Sequence, residues 1–178
     1  EPYLEVRNDL LHTQVAHEFA LKLLSLEGGD RAIVEPAIIL HDVGWSAVDP
    51  EKISQVYGVK AESNDSAYQL NRIHEIQGAV IAGKILRSFN YEEDLIVQIE
   101  KIIERHDSGT SPESLEEKLV KDADKLWRFS KAGFWREIER QQVDPVYFYE
   151  RDVKRRREWF ITPAALRIAK EELIDRKE

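Results

Sequence analysis

Four histidines and a neighbouring aspartate have the residue types of a metal site. His41 and Asp42 are adjacent at the end of the apolar run ILHDVGW, and His12, His74 and His106 occur elsewhere in the chain. Imidazoles and carboxylates bind divalent transition metals when thiolates are absent, and this sequence contains no cysteine. The first question is whether separate segments bring these side chains to one point.

Helical periodicity predicts that His12 lies at the centre of a buried face. Apolar residues recur at helical intervals from Asn8 to Leu26, and an α-helix advances by about 100° per residue. Five such residues fall within about 60° of His12: Val15, Ala16, Phe19, Leu23 and Leu26. His17 lies about 140° away. We therefore take His12 as the candidate ligand and His17 as a surface or boundary residue.

The other three histidines also face inward on this reading. His74 shares its row with Gly78, and His106 continues an isoleucine stripe, while His41 ends a short buried helix predicted from Pro36 to Val43. One buried histidine is usually a core residue with satisfied hydrogen bonds. Four of them on four predicted helices are harder to explain that way, and metal coordination would offset the cost of burying them.

Asp42 supplies one of the carboxylates that such a cluster needs. A second is expected from the segment KDADKL, which contains Asp122 and Asp124. Both flank the apolar face of their predicted helix about equally, so periodicity does not choose between them.

The elements that must position these residues are helices. We predict an all-α fold, a compact multi-helix bundle of six to eight helices, and a single domain over residues 1–178. Cap residues, glycines and prolines predict the helix limits: Asn8–Leu26, Pro36–Val43, Asn64 or Asp65 to Phe89, a helix opened by Asn90, Pro112–Trp127, and a last helix from Thr162-Pro163.

Charge and hydropathy argue against two classes of partner, nucleic acids and membranes. The net charge of −8 opposes general nucleic-acid binding, and no apolar run is long enough to span a membrane. The sequence does not resemble a secreted one, which favours a cytoplasmic protein. The aromatic segments DPVYFYERD and EWFITP are interpreted as core or as a contact between copies in a homo-oligomer.

These residues together resemble the HD superfamily of metal-dependent phosphohydrolases. The match is an ordered set that consists of His12 in LHTQVAHEFA, His41-Asp42 in ILHDVGW and Asp124 in VKDADKLW. It spans about residues 8 to 130, and helices of residues 131–178 are expected to pack on it. The family pattern places Lys or Arg and then Leu after its last aspartate, which selects Asp124 over Asp122.

The resemblance implies a metal arrangement and an activity. In the subset with two extra histidines, one ion is held by His12, His41, Asp42 and Asp124, and the other by His74 and His106 with Asp42 bridging. The ions would be one or two divalent Fe, Mn, Co, Ni or Zn. His41 and Asp42 would be catalytic in hydrolysing a phosphoester or phosphoanhydride of a nucleotide or other small phosphorylated metabolite through metal-activated water.

Candidate phosphate-binding cations lie near the ligands in sequence: Arg72, Lys121, Lys125 and Arg128. Trp45 occupies the position where many relatives have a phosphate-binding lysine. Its ring is of a type that stacks on a nucleobase, but we favour its interpretation as a packing residue.

Two other functions are compatible with the same ligands. One is a di-iron oxygenase, which would require dioxygen, and the other is a non-catalytic sensor or docking module. The basic run from Arg151 to Arg157 is the best docking candidate, although a solvated helical face explains it more simply.

Overall fold

The computed structural model describes Tyr3, residues 10–56 and residues 65–176. Over this part of the chain the secondary structure is helical and includes no strand, which confirms the predicted all-α fold. The helices are α1 (Leu10–Glu27), α2 (Arg31–Leu40), α3 (Asp65–Ser88), α4 (Glu93–Ile103), α5 (Leu115–Leu126), α6 (Lys131–Gln141), α7 (Pro145–Phe148), α8 (Lys154–Arg156) and α9 (Pro163–Asp175).

Helix α2 begins earlier than predicted. Asp30 caps it by accepting the amide of Ala32, so Pro36 lies inside the helix rather than in its first turn. Proline has no N–H to donate to the carbonyl four residues earlier, which here belongs to Ala32. The hydroxyl of Tyr91 donates to that carbonyl at 2.6 Å. A long-range contact thus compensates for the proline.

Asn90 ends a helix instead of opening one. Its φ of 55° is left-handed, and the amides of Asn90 and Tyr91 donate to the carbonyls of Arg87 and Leu86. This is the double hydrogen bond that closes many helix ends, and asparagine tolerates its left-handed backbone. Helix α4 therefore starts later, at Glu93. The helix predicted to start at Pro112 also begins later in the structure, at Leu115, because Ser114 caps α5.

The residues between α2 and α3 bring two backbones together. Val43–Ala47 forms a 3-10 turn, and Pro50–Val56 forms a second one. A Cβ atom added to Gly44 would lie 1.8 Å from the carbonyl oxygen of His74 and 2.5 Å from the amide of Gly78. Only glycine permits this approach, which places the end of α2 directly against α3. The alternative cap residue Asn64 lies outside the described residues.

The apolar core lies between α1, α2, α4 and α5 and extends to α9. Thr162 caps α9 ahead of Pro163, as predicted. Between α6 and α9 the helical geometry is irregular: α7 continues as a π-helical segment, Tyr149–Val153, then α8 and a 3-10 turn, Arg157–Trp159. None of the helices in the described ranges has both the length and the apolar composition needed to cross a bilayer.

Candidate metal centre

Five different elements carry six candidate donors to one buried point. His12 is in the first turn of α1, His41 and Asp42 follow α2, His74 is within α3, His106 follows α4, and Asp124 is in the last turn of α5. The four histidines are at most 6% exposed, which confirms that they face inward.

The donors fall into two groups that share Asp42. His12, His41 and Asp42 form one group, and Asp42, His74 and His106 form the other, with the donor atoms of each within 4.8 Å of one another. Asp124 joins the first group, since its Oδ1 lies 2.8 Å from His12 Nε2 and 3.4 Å from His41 Nε2.

Asp42 directs its two carboxylate oxygens to different groups. Oδ2 lies 3.5 Å from both His12 Nδ1 and His41 Nε2, whereas Oδ1 lies 3.6 Å from His74 Nε2 and 3.7 Å from His106 Nε2. A carboxylate has lone pairs on both oxygens, so this orientation is suited to bridging two ions.

Backbone carbonyls orient two of the imidazoles. The Nδ1 atoms of His41 and His106 donate to the carbonyls of Ile38 and Ile103, each at 2.7 Å. Since a carbonyl only accepts, the neutral rings carry their proton on Nδ1 and present the Nε2 lone pair to the centre. Metal-binding histidines are commonly fixed in this way.

The donor set fits a divalent metal. His41 Nε2 is buried and has no hydrogen-bond partner among the described residues, and it faces two carboxylate oxygens at 3.4 and 3.5 Å. Two ligands bonded to one ion at about 2.1 Å, at tetrahedral angles, lie about 3.4 Å apart. Without a cation between them these lone pairs would repel each other.

The electrostatics of the centre also favour positive charge. Burial opposes protonation of His106, but the neighbouring carboxylates of Asp42, Asp107 and Asp124 outweigh it and raise the pKa of His106 to about 9. Burial likewise opposes ionisation of Asp124, but its contacts with His12 and His41 hold its pKa well below the usual range. The centre therefore attracts either a proton or a metal ion.

His17 and Asp122 lie away from this centre. His17 Nε2 contacts Glu35 Oε1 at 2.8 Å on the surface side of α1. The buried carboxylate of Asp122 accepts the amides of Ile161 and Thr162 at 2.9 and 2.8 Å, so it anchors the start of α9.

A cavity of about 440 Å³ opens directly onto the donors. Its lining includes His12, Asp42, His106 and Asp124, and also two of the predicted phosphate-binding cations, Lys125 and Arg128.

The other two predicted cations have structural contacts. Lys121 is 2% exposed and donates to the carbonyls of Arg105, His106 and Gly109, and burial lowers its pKa. It therefore holds the loop after α4 and does not line the cavity. The expected contact of Lys121 with phosphate stays a prediction.

Arg72 holds the same loop from the other side. It pairs with the buried Glu75 and donates to the carbonyl of Glu104 and the hydroxyl of Ser108. Glu75 in turn accepts the amides of Asp107 and Ser108. Arg72 thus positions the loop that carries His106 and is not among the residues lining the cavity, and its expected contact with phosphate stays a prediction.

Sequence reasoning missed several other cavity residues, among them Tyr68, Asp107, Arg156 and Trp159. Asp107 directly follows His106, and its Oδ2 lies 3.8 Å from His74 Nε2; adjacency to a ligand could have identified it. Arg156 belongs to the basic run interpreted as a solvated face, and the irregular helix around it concealed its inward direction.

Trp45 contacts two of the three members of the second donor group, Asp42 and His74. Its indole Nε1 donates to Asp42 Oδ1 at 3.0 Å, and its ring stacks on His74 with centroids 4.0 Å apart. Trp127 stacks on His12 in a similar way, at 5.3 Å, but its Nε1 has no hydrogen-bond partner among the described residues. Trp45 therefore packs as predicted and also orients the shared carboxylate.

Replacing Trp45 with phenylalanine should weaken metal binding. The ring can still stack on His74, but Asp42 Oδ1 loses its indole donor, and loss of such an outer partner typically lowers metal affinity about 10–100-fold. Competition with a chelator would measure the affinity.

The matched control is Trp127→Phe. Trp127 stacks on His12 of the first donor group, and replacing its indole with a phenyl ring removes no hydrogen bond to a candidate ligand. It should have the smaller effect. Equal affinities of Trp45→Phe and the unmodified protein would show that the indole hydrogen bond does not orient Asp42.

Comparisons with known proteins agree with this geometry. The family model described as HD domain matches residues 11–128, which include all six candidate donors. The fold is similar to the crystal structure of a predicted HD superfamily hydrolase from an uncultured Thermotogales bacterium, with a TM-score of 0.62 and 21% identity over 94% of this chain and 75% of that one. No curated protein is similar enough in sequence to match. This chain belongs to the HD domain family.

Proposed function

We propose that this protein is a metal-dependent phosphohydrolase that cleaves a phosphoester or phosphoanhydride bond of a nucleotide or another small phosphorylated metabolite. The observation that carries the proposal is the position of the cavity. Its lining combines carboxylate and imidazole donors with the cations Lys125 and Arg128. A phosphoryl group that enters the cavity meets metal donors and cations together.

The protein's own residues have separate tasks in this proposal. Asp42 and Asp124 bring negative charge to the cavity lining, and His41 presents a fixed lone pair to both carboxylates. Lys125 directly follows Asp124, and Arg128 is one helical turn beyond it, so both cations border the donors. They are placed to bind phosphoryl oxygens and to stabilise the charge that develops on them.

Bound divalent ions would supply a water acidified to near-neutral pKa and additional charge for the phosphoryl oxygens. Histidine and carboxylate donors suit Fe, Mn, Co, Ni and Zn. The proposal includes one or two of these ions.

Anaerobic phosphate release tests the reaction type. The purified protein is stripped with a chelator, reloaded separately with Mn, Co, Fe, Ni or Zn, and incubated without oxygen with nucleotides and sugar phosphates. We expect release of inorganic phosphate or pyrophosphate that depends on the added metal and is stopped by the chelator.

Two outcomes would contradict the hydrolase. Turnover that needs both iron and dioxygen would indicate the oxygenase alternative. Metal binding without turnover of any phosphorylated compound would instead favour a sensor or docking module.

A further inference from the structure

The segment between α6 and α9 contributes a wall of the cavity. Residues 145–159 run through α7, the π-helical turns, α8 and the 3-10 turn, and they bring Arg156 and Trp159 to the cavity lining. π-Helical turns are rare and occur frequently at functional sites, because they change the direction of the side chains that follow.

This segment is anchored at both ends. Phe148 and Val153 are buried in the core, and just beyond the segment the amides of Ile161 and Thr162 donate to the buried carboxylate of Asp122. Asp122 is on α5, the helix that carries Asp124. The wall is therefore attached to the same helix as a metal donor.

Arg156 differs from its basic neighbours. Its guanidinium carbon lies 3.9 Å from the centroid of the Trp159 ring, a cation–π distance, and burial lowers its pKa. Arg155 and Arg157 are exposed. A guanidinium ordered by stacking is suited to bind a planar or tetrahedral anion, because it loses less freedom when it does so.

The charges around the cavity indicate what that anion belongs to. Three carboxylates, Asp42, Asp107 and Asp124, are offset by three cations, Lys125, Arg128 and Arg156. Two divalent ions, one at each donor group, would bring the total to about +4, because the three cations cancel the three carboxylates and each ion adds two charges. One phosphate monoester carries about −1.5 to −2 charges near pH 7, so a single phosphate does not match the complete cavity.

We propose that Arg156, held by Trp159, binds a second anionic group of the substrate, so that nucleoside di- or triphosphates are preferred over monophosphates. This inference rests on the proposed function and specifies its substrate class. Lys125 and Arg128 border the donors and meet the phosphate there, whereas Arg156 approaches from a separate segment. The cavity volume of about 440 Å³ lies in the range of small-ligand sites.

Calorimetric binding of AMP, ADP and ATP to the manganese-loaded protein, at fixed free manganese, tests the proposal without requiring turnover. The unmodified protein should bind ADP and ATP about tenfold or more tightly than AMP, as expected for one further charge-assisted contact. The Arg156→Gln variant should lose this preference. Its affinity for ADP and ATP should fall about tenfold, while its affinity for AMP should change less than about twofold.

Arg155→Gln is the matched control, since it removes an exposed arginine one residue away; its three affinities should equal those of the unmodified protein. Arg156→Lys keeps the charge but not the flat guanidinium, and an intermediate loss is expected. If the Arg156→Gln protein folds poorly, Arg156→Lys tests the same contact.

If Arg156→Gln lowered the affinity for AMP and ADP equally, or lowered neither, the second-anion site would be overturned. Kinetics then separate this inference from the proposed function. Where turnover occurs, Arg156→Gln should raise KM for ADP and leave kcat nearly unchanged. An Arg156-dependent ADP preference without any hydrolysis would refute the hydrolase and retain the binding site.

Discussion

Asp42→Asn should abolish metal binding and phosphate release together while the protein remains folded. Asp42 is the only one of the six candidate donors that faces both groups, with Oδ2 toward His12 and His41 and Oδ1 toward His74 and His106. The amide keeps the size of the side chain and an oxygen that can accept the Trp45 indole, but it removes the negative charge that two ions would share.

The expected loss of activity is large. Metal ions typically contribute several kcal/mol of charge stabilisation, so their loss should lower kcat/KM by about 10³-fold or more. Elemental analysis after dialysis against each metal measures the binding, and circular dichroism with thermal unfolding of the metal-free protein measures the fold. A fully loaded Asp42→Asn protein would reject a shared ligand.

Asp122→Asn is the matched control, because it also changes a buried carboxylate. Its partners are the backbone of Ile161 and Thr162 rather than the donor histidines. We expect this variant to lose about 1–3 kcal/mol of stability, from an unsatisfied buried group, and to keep its metal. Comparison of Asp42→Asn with Asp122→Asn therefore separates the effect of losing a ligand's charge from the effect of losing buried hydrogen bonds.

Gly44→Ala should destabilise the fold and disturb the centre at the same time. The added Cβ would meet the carbonyl oxygen of His74 at 1.8 Å and the amide of Gly78 at 2.5 Å, and neither backbone atom can rotate away. The 3-10 turn must therefore move from α3, which separates Asp42 from His74. We expect a loss of about 3 kcal/mol or more and a Tm about 6–12 °C lower.

Gly78→Ala tests the same contact from the other side. Its Cβ would lie 3.2 Å from a side-chain methyl of Ile103 and 3.4 Å from both the amide of Gly44 and the carbonyl oxygen of His41, contacts that shifts of a few tenths of an ångström can accommodate. Alanine also favours the helix, so the Tm should change little. A Tm for Gly44→Ala within about 2 °C of the unmodified protein would show that the turn is not fixed by this approach.

Periodicity was sufficient to predict the all-α fold and the inward orientation of the histidines. Each of the four lies on a continuous apolar stripe or at its end, and a buried stripe imposes the direction of every residue in it. The choice of His12 over His17 followed from this rule, and the structure places His17 against Glu35 at the surface. The roles of these residues as ligands remain a prediction.

Periodicity failed where two carboxylates share one helix. Asp122 and Asp124 flank the same apolar face, and both are in fact largely enclosed. Helical phase specifies burial but not the partner, which comes from other segments: α1 and the end of α2 for Asp124, the start of α9 for Asp122. The resemblance to the HD superfamily, and not the helical phase, selected Asp124.

Irregular backbone explains the remaining errors. Pro36 resembles a helix start in the sequence because the donor that compensates for its missing N–H, Tyr91, is distant in the chain. A regular helix would place Arg156 on a solvated face, but the neighbouring turns are π-helical and 3-10. Neither feature has a local sequence signal of its own.

Two carboxylates of α5 hold different parts of the chain in place. Asp124 and Asp122 are two residues apart, and one holds His12 and His41 while the other holds the backbone ahead of α9. A fluctuation that swings this helix outward must break both sets of contacts. An outward movement of α5 would therefore release His12, His41 and the start of α9 in the same event.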